Sequence, residues 1–290
     1  MPDFELHYSV FGGYPVIEAS LTVASNDQAE MFLGSSWSLP GEELDHAGWF
    51  GGPIPAEVMT DLSQMFAAPA ARENILRLQA AQAGKLPFDA LVRILRLVWE
   101  GKEFKLDLSA SASDAWVSQL EELLRRAMSI LNGCPRLALR LHAGLRQEDK
   151  AFMPSIQVTG LGAQAAQVLL YDPSPPAQLC TASFSLEARI DFPGGGCAWN
   201  PKSMLQVPSR HWLNLIEQGH LPAQMTLAAP HNILQLSLPA LAQPAQAKLA
   251  QETGLFFSGA LTLWLSGAHN KRHKVSLQSL RKPLAEISMQ

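Results

Sequence analysis

Hydrophobic and polar positions alternate from the first residues of the chain. Phe4, Leu6, Tyr8 and Val10 interleave with Glu5, His7 and Ser9, the period-2 pattern of a half-buried strand. Gly12-Gly13 then marks a turn, and Ile17, Ala19, Leu21 and Val23 alternate in the same way, which predicts a hairpin. A third strand is expected near Met31–Leu39. Gly48–Pro53 reads as a turn or loop carrying Trp49 and Phe50.

The period then lengthens. Pro55 suits the first turn of a helix with Val58, Leu62, Met65 and Phe66 on one face, and Pro69 ends it. Residues 70–83 predict a second helix. Pro87 and Phe88 open a third, with Leu91, Ile94, Leu95, Val98 and Trp99 as its stripe and Gly101 as its stop. After a short strand around Phe104–Leu108, Ser113 is the expected cap of a long helix carrying Trp116, Val117, Leu120, Leu123, Leu124, Ala127 and Leu131, and Asn132-Gly133 closes it. Beyond this point short apolar runs dominate: Leu137–Leu141, Ile156–Thr159, Thr181–Ile190, Met225–Ala228, Ile233–Leu238, Leu255–Leu265 and Lys274–Leu280. A helix from Ser209 to Gly219 interrupts them. The expectation is an α+β fold: an N-terminal β-hairpin or sheet with several helices over 1–133, then a β-rich half over 134–290 with one clear helix. The two halves could also form one continuous domain.

Composition and charge narrow the function classes. Hydrophobic content of 47% with 17% charged residues belongs to a globular chain. The longest apolar runs reach about half the ~20 residues of a membrane-crossing helix, and the N-terminus lacks the basic and apolar regions of a secretory signal. Cys134, Cys180 and Cys197 are an odd count without CxxC spacing, which favours reduced thiols and a cytoplasmic setting. Residues 1–71 hold ten carboxylates and no Lys or Arg, whereas the remainder sums to +6. Such asymmetry bears on partners and steering.

Catalytic and ligand motifs are weak. Gly160-Leu-Gly162-Ala-Gln-Ala165 matches a dinucleotide fingerprint, but three prolines follow within eleven residues and no βαβ pattern develops. Cys197 with His211 offers a thiol and a base for a hydrolase, without a third orienting group. His269 and His273 stand four apart, but in a cation-rich turn between strands, so no metal site is expected. The basic C-terminal segment lacks interleaved aromatics, and a pI near 6.1 disfavours nucleic acid. No cofactor is expected.

The preferred reading is therefore a non-enzymatic, cytoplasmic protein-binding module whose acidic N-terminal surface meets a basic protein. An immunity or antitoxin protein neutralising a basic toxin is its concrete form. Glu42, Glu43, Asp45, Trp49 and Phe50 are the expected contact residues, with carboxylates steering and aromatics anchoring. The alternatives are a hydrolase using Cys197 and His211, and a structural subunit of a larger assembly.

Overall fold

A computed structural model describes residues 4–13, 17–24, 26–36, 44–80, 90–111, 113–148, 151–172, 178–227, 233–237, 254–266 and 272–284. It corrects the expected fold class. The protein is mostly β, 56% strand against 23% helix, with four α-helices among the described residues and large antiparallel sheets in place of a balanced α+β mixture. By internal contacts the chain forms two compact units. Unit 1 comprises residues 1–42 and 48–137, and unit 2 comprises 43–47 and 138–290.

Unit 1 is an antiparallel sheet of β1 (Phe4–Gly12), β2 (Ile17–Ala24), β3 (Gln28–Leu33), β4 (His46–Pro53, from Gly48 onward), β5 (Leu91–Trp99) and β6 (Lys102–Asp107), in the order β4-β3-β2-β1-β5-β6. The β1–β2 hairpin forms as its alternation predicts, with Tyr8 opposite Leu21. One face of the sheet carries Phe4, Leu6, Tyr8, Leu21, Met31, Phe50, Leu95 and Leu97, all buried. Against it pack α1 (Ala56–Ala67) and α3 (Ala115–Leu131), with α2 (Ala71–Ala80) beside β6. Phe66 of α1 lies 5.2 Å from the Phe4 ring and 6.3 Å from that of Trp116. The helix α3 is capped by Asp114, one residue after the expected Ser113; its carboxylate accepts from the Trp116 and Val117 amides.

Two expectations within unit 1 fail for a common reason. The expected third helix is strand β5, hydrogen-bonded to β1 on one side and β6 on the other. The run Leu91–Trp99 satisfies both periods, but its buried positions are Leu95, Leu97 and Trp99, while Arg96 and Val98 face out. Neighbouring strands on both edges settle the choice. The Trp49–Phe50 segment expected as a loop is likewise strand β4, registered on β3 with Phe32 opposite Trp49. Gly51 packs closely in this strand: an added Cβ would stand 2.6 Å from Arg136 Nε and 3.1 Å from the Ala29 carbonyl oxygen.

Unit 2 contains β7 (Pro135–Glu148, from Ala138 onward), β8 (Ala151–Leu161) and β15 (Ile233–Ser237), paired in the order β15-β8-β7. A second sheet joins β13 (Cys197–Gln206), β12 (Thr181–Asp191), β16 (Leu255–Ser266), β9 (Ala166–Leu169) and β14 (Gln224–Leu227) in that order. β17 (Arg272–Gln278) and β18 (Lys282–Pro283) also pair with β16, and β10 (Tyr171–Asp172) with β11 (Gln178–Leu179) forms a small ribbon. Gly259 of β16 permits close packing: a Cβ there would meet the Ala143 Cβ of β7 at 2.7 Å and the Phe184 ring at 3.3 Å. Helix α4 (Ser209–Glu217) buries Trp212 completely.

Candidate functional site

Of the expected contact residues, Glu42 and Glu43 lie outside the described residues. Asp45 is part of unit 2 and its side chain is only 14% exposed. Its Oδ1 accepts from Arg140 Nε at 3.1 Å and lies 2.9 Å from His46 Nδ1. Burial pushes this carboxyl upward, but the bonds and charges from His46 and Arg140 outweigh it and hold the group below the usual carboxylate range. Trp49 is half-buried, its ring 4.7 Å from that of Phe32. Phe50 points to the opposite face and is 1% exposed, so it belongs to the core and is no surface anchor. Adjacent strand residues point to opposite faces, and the two aromatics are separated for that reason.

The acidic front end is also less exposed in charge than in count. Glu30 pairs with Arg136 at 2.7 Å, and Arg126 of α3 meets Glu57 at 3.2 Å and Asp61 at 3.7 Å. Arginines from much later in the chain return to the carboxylates of the first 71 residues. Unit 1 as a whole holds 16 carboxylates against 10 Lys and Arg, a net −6, and unit 2 is +2.

What the strands do assemble is the helix-free face of the unit 1 sheet. Register places Gln28, Ala24, Glu5, Val98 and Glu103 in one row, Glu30, Thr22, His7, Arg96 and Lys105 in the next, and Trp49, Phe32, Ser20, Ser9, Ile94 and Asp107 in a third. A fourth row holds Glu18, Phe11 and Val92. Phe11 is 47% exposed and Val98 42%. Glu18 stands directly across from Phe11, and Glu5 and Glu103 flank Val98 on either side. In the second row His7 Nδ1 lies 2.9 Å from Thr22 Oγ1. Burial, and then the Arg96 charge, lower the His7 pKa, against an upward pull from Glu5. Periodicity had marked Glu5 and Glu18 as solvent-facing; Val98 and Glu103 join them only through register.

The catalytic candidates separate. Cys197 and Gln206 bound β13, about 30 Å apart at the usual strand rise. His211 follows five residues after Gln206, a reach of under ~18 Å, too short to return to the thiol. Its Nε2 is buried without a hydrogen-bond partner. Gly160 lies within β8, Gly162 turns at φ 91°, and β9 follows, so the fingerprint sits between two strands with no helix to face a pyrophosphate. Of the two spaced histidines, His273 is in β17 and His269 lies outside the described residues. Among the described residues no group of three or more His, Cys, Asp or Glu is placed to hold a metal ion, and no helix is long and apolar enough to cross a membrane.

No family model matches the chain, and no curated protein matches it. Among solved structures, chicken CD1-2 with bound fatty acid aligns over 94% of this chain and 97% of its own at 10% identity, with a TM-score of 0.17. Chicken CD1-1 aligns over 95% and 98% at 11% identity, with a TM-score of 0.16. Scores this low carry no argument about fold or function.

Proposed function

We propose that the protein is a non-enzymatic binding module whose helix-free unit 1 face engages a basic protein partner. The observation that carries this reading is the pairing of exposed apolar side chains with carboxylates: Phe11 beside Glu18, and Val98 between Glu5 and Glu103. Apolar groups supply contact area, and flanking carboxylates favour a partner with Lys or Arg around its own apolar centre. The net −6 of unit 1 adds long-range steering of the same sign. An immunity or antitoxin protein neutralising a basic toxin is the concrete form we favour. Three unbridged cysteines support a reducing, cytoplasmic setting.

Photo-crosslinking residues placed singly at 11 and 98, with Leu76 of α2 as an exposed control, test the reading in native lysate. A basic protein captured from 11 and 98 but not from 76, and lost with V98R or at high salt, is the expected result. Equal capture from all three positions, or none, overturns it.

A further inference from the structure

On the second sheet of unit 2, the half-exposed face of β12 and β16 carries a run of hydroxyls. Thr181 is registered on Thr262, and Ser183 lies between Ala260 and Gln206. Thr262 Oγ1 is 3.2 Å from Ser276 Oγ of β17. A half-open groove of about 550 Å³ lies over this floor, bordered by the exposed Gln206 and Pro208, the latter at the start of α4. That volume falls in the usual range for small-molecule sites, about 300–1,000 Å³.

The lining selects a ligand class by its chemistry. The lining residues, Thr181, Ser183, Gln206 and Thr262 with the small apolar Ala182, Val207, Pro208 and Ala260, include no ionisable side chain. An anion would call for a cation in the wall, a metal for carboxylates, and an apolar ligand for a wider apolar wall. Hydroxyls rotate to donate or accept, and the Gln206 amide does both at fixed positions. Such a set matches a ligand that presents neighbouring hydroxyls, each both donor and acceptor. Ala260, small and central, leaves room for a ring above the floor. Further along the same face Arg281 meets Glu187 at 2.5 Å and stacks 4.6 Å over Trp199, which packs edge-on to Phe256 at 5.0 Å. That interlocked group lies outside the lining of the groove.

The geometry points to a binding site for a neutral saccharide on this face of unit 2, separate from the protein-binding surface of unit 1. Saturation-transfer NMR on the full chain tests it, with glucose, galactose, mannose and N-acetylglucosamine as probes, each as monomer and as β-linked tetramer. Transfer to at least one probe is expected. T181V, T262V and S183A each remove one hydroxyl and weaken that probe about fivefold, while V98R in unit 1 leaves it unchanged. Where a Thr→Val variant loses its native circular dichroism, S183A and Q206A carry the comparison. No transfer to any of these sugars overturns the site. So does transfer that the folded variants leave within twofold, or a response to inorganic phosphate alone.

Discussion

Arg140 Nε and Asp45 Oδ1 lie 3.1 Å apart, tying Asp45 to β7 through a side-chain bond that joins a backbone one from Leu141 N to Asp45 O at 2.7 Å. The folded pKa of Asp45 is depressed, so its stabilising contribution is present above the unfolded carboxyl pKa and lost as pH falls through the folded one. D45N is expected to cost about 1–2 kcal/mol at pH 7. Urea unfolding of wild type and D45N should differ most above the unfolded carboxyl pKa and converge only as pH falls through the depressed folded pKa of Asp45.

Phe50 and Trp49 provide a direct test of the corrected placement. F50A empties a core position and should lose about 3–5 kcal/mol, whereas W49A removes a half-buried ring and should lose distinctly less. Thermal unfolding of the two variants measures the difference; equal losses would contradict the opposite facing of the two rings.

A second polar connection lies between the sheet and α3. Arg93 Nη1 donates to Glu121 at 2.8 Å, and Tyr8 Oη donates to the same carboxylate at 3.4 Å. Both charged side chains are about one-fifth exposed, so removing one leaves the other poorly solvated. E121L and R93M should each cost about 2–3 kcal/mol, and the double variant less than their sum, with a coupling of about 1–2 kcal/mol in a double-mutant cycle.

Tyr8 in this cluster adds a pH signature. Burial raises its pKa above the ordinary phenol value of 10.0, reinforced by the Glu121 charge. The contribution of a group with a raised folded pKa is intact below the unfolded pKa and lost as pH rises past it. Wild type should therefore lose stability relative to Y8F between about pH 10 and 11.5, as read from urea midpoints.

Thiol labelling separates the three cysteines. Cys180 is fully buried and burial pushes its thiol up to about 12, while Cys134 and Cys197 are exposed. Iodoacetamide at pH 8 should add two groups to the native protein and a third only after unfolding, counted by intact mass. H211A should leave the Cys197 rate unchanged, since strand β13 holds the two residues apart.

Much of the strand content was readable from the sequence, because period-2 alternation survives in β1, β2 and β12, and the long amphipathic stripe of α3 admits few other conformations. Where both periods fit, as at Leu91–Trp99, local pattern could not choose; pairing partners 79 to 95 residues away in β1, together with the adjacent β6, made it a strand. The acidic count over residues 1–71 was a property of the sequence alone, and it stands. Its consequence was decided only by tertiary structure: Arg126, Arg136 and Arg140 come back to Glu57, Asp61, Glu30 and Asp45. Charge is additive along a chain, but its field depends on which side chains the fold brings within a few ångströms. For the same reason the aromatic pair at 49–50 was visible from sequence, while its split between core and surface faces required knowing that the segment is a strand.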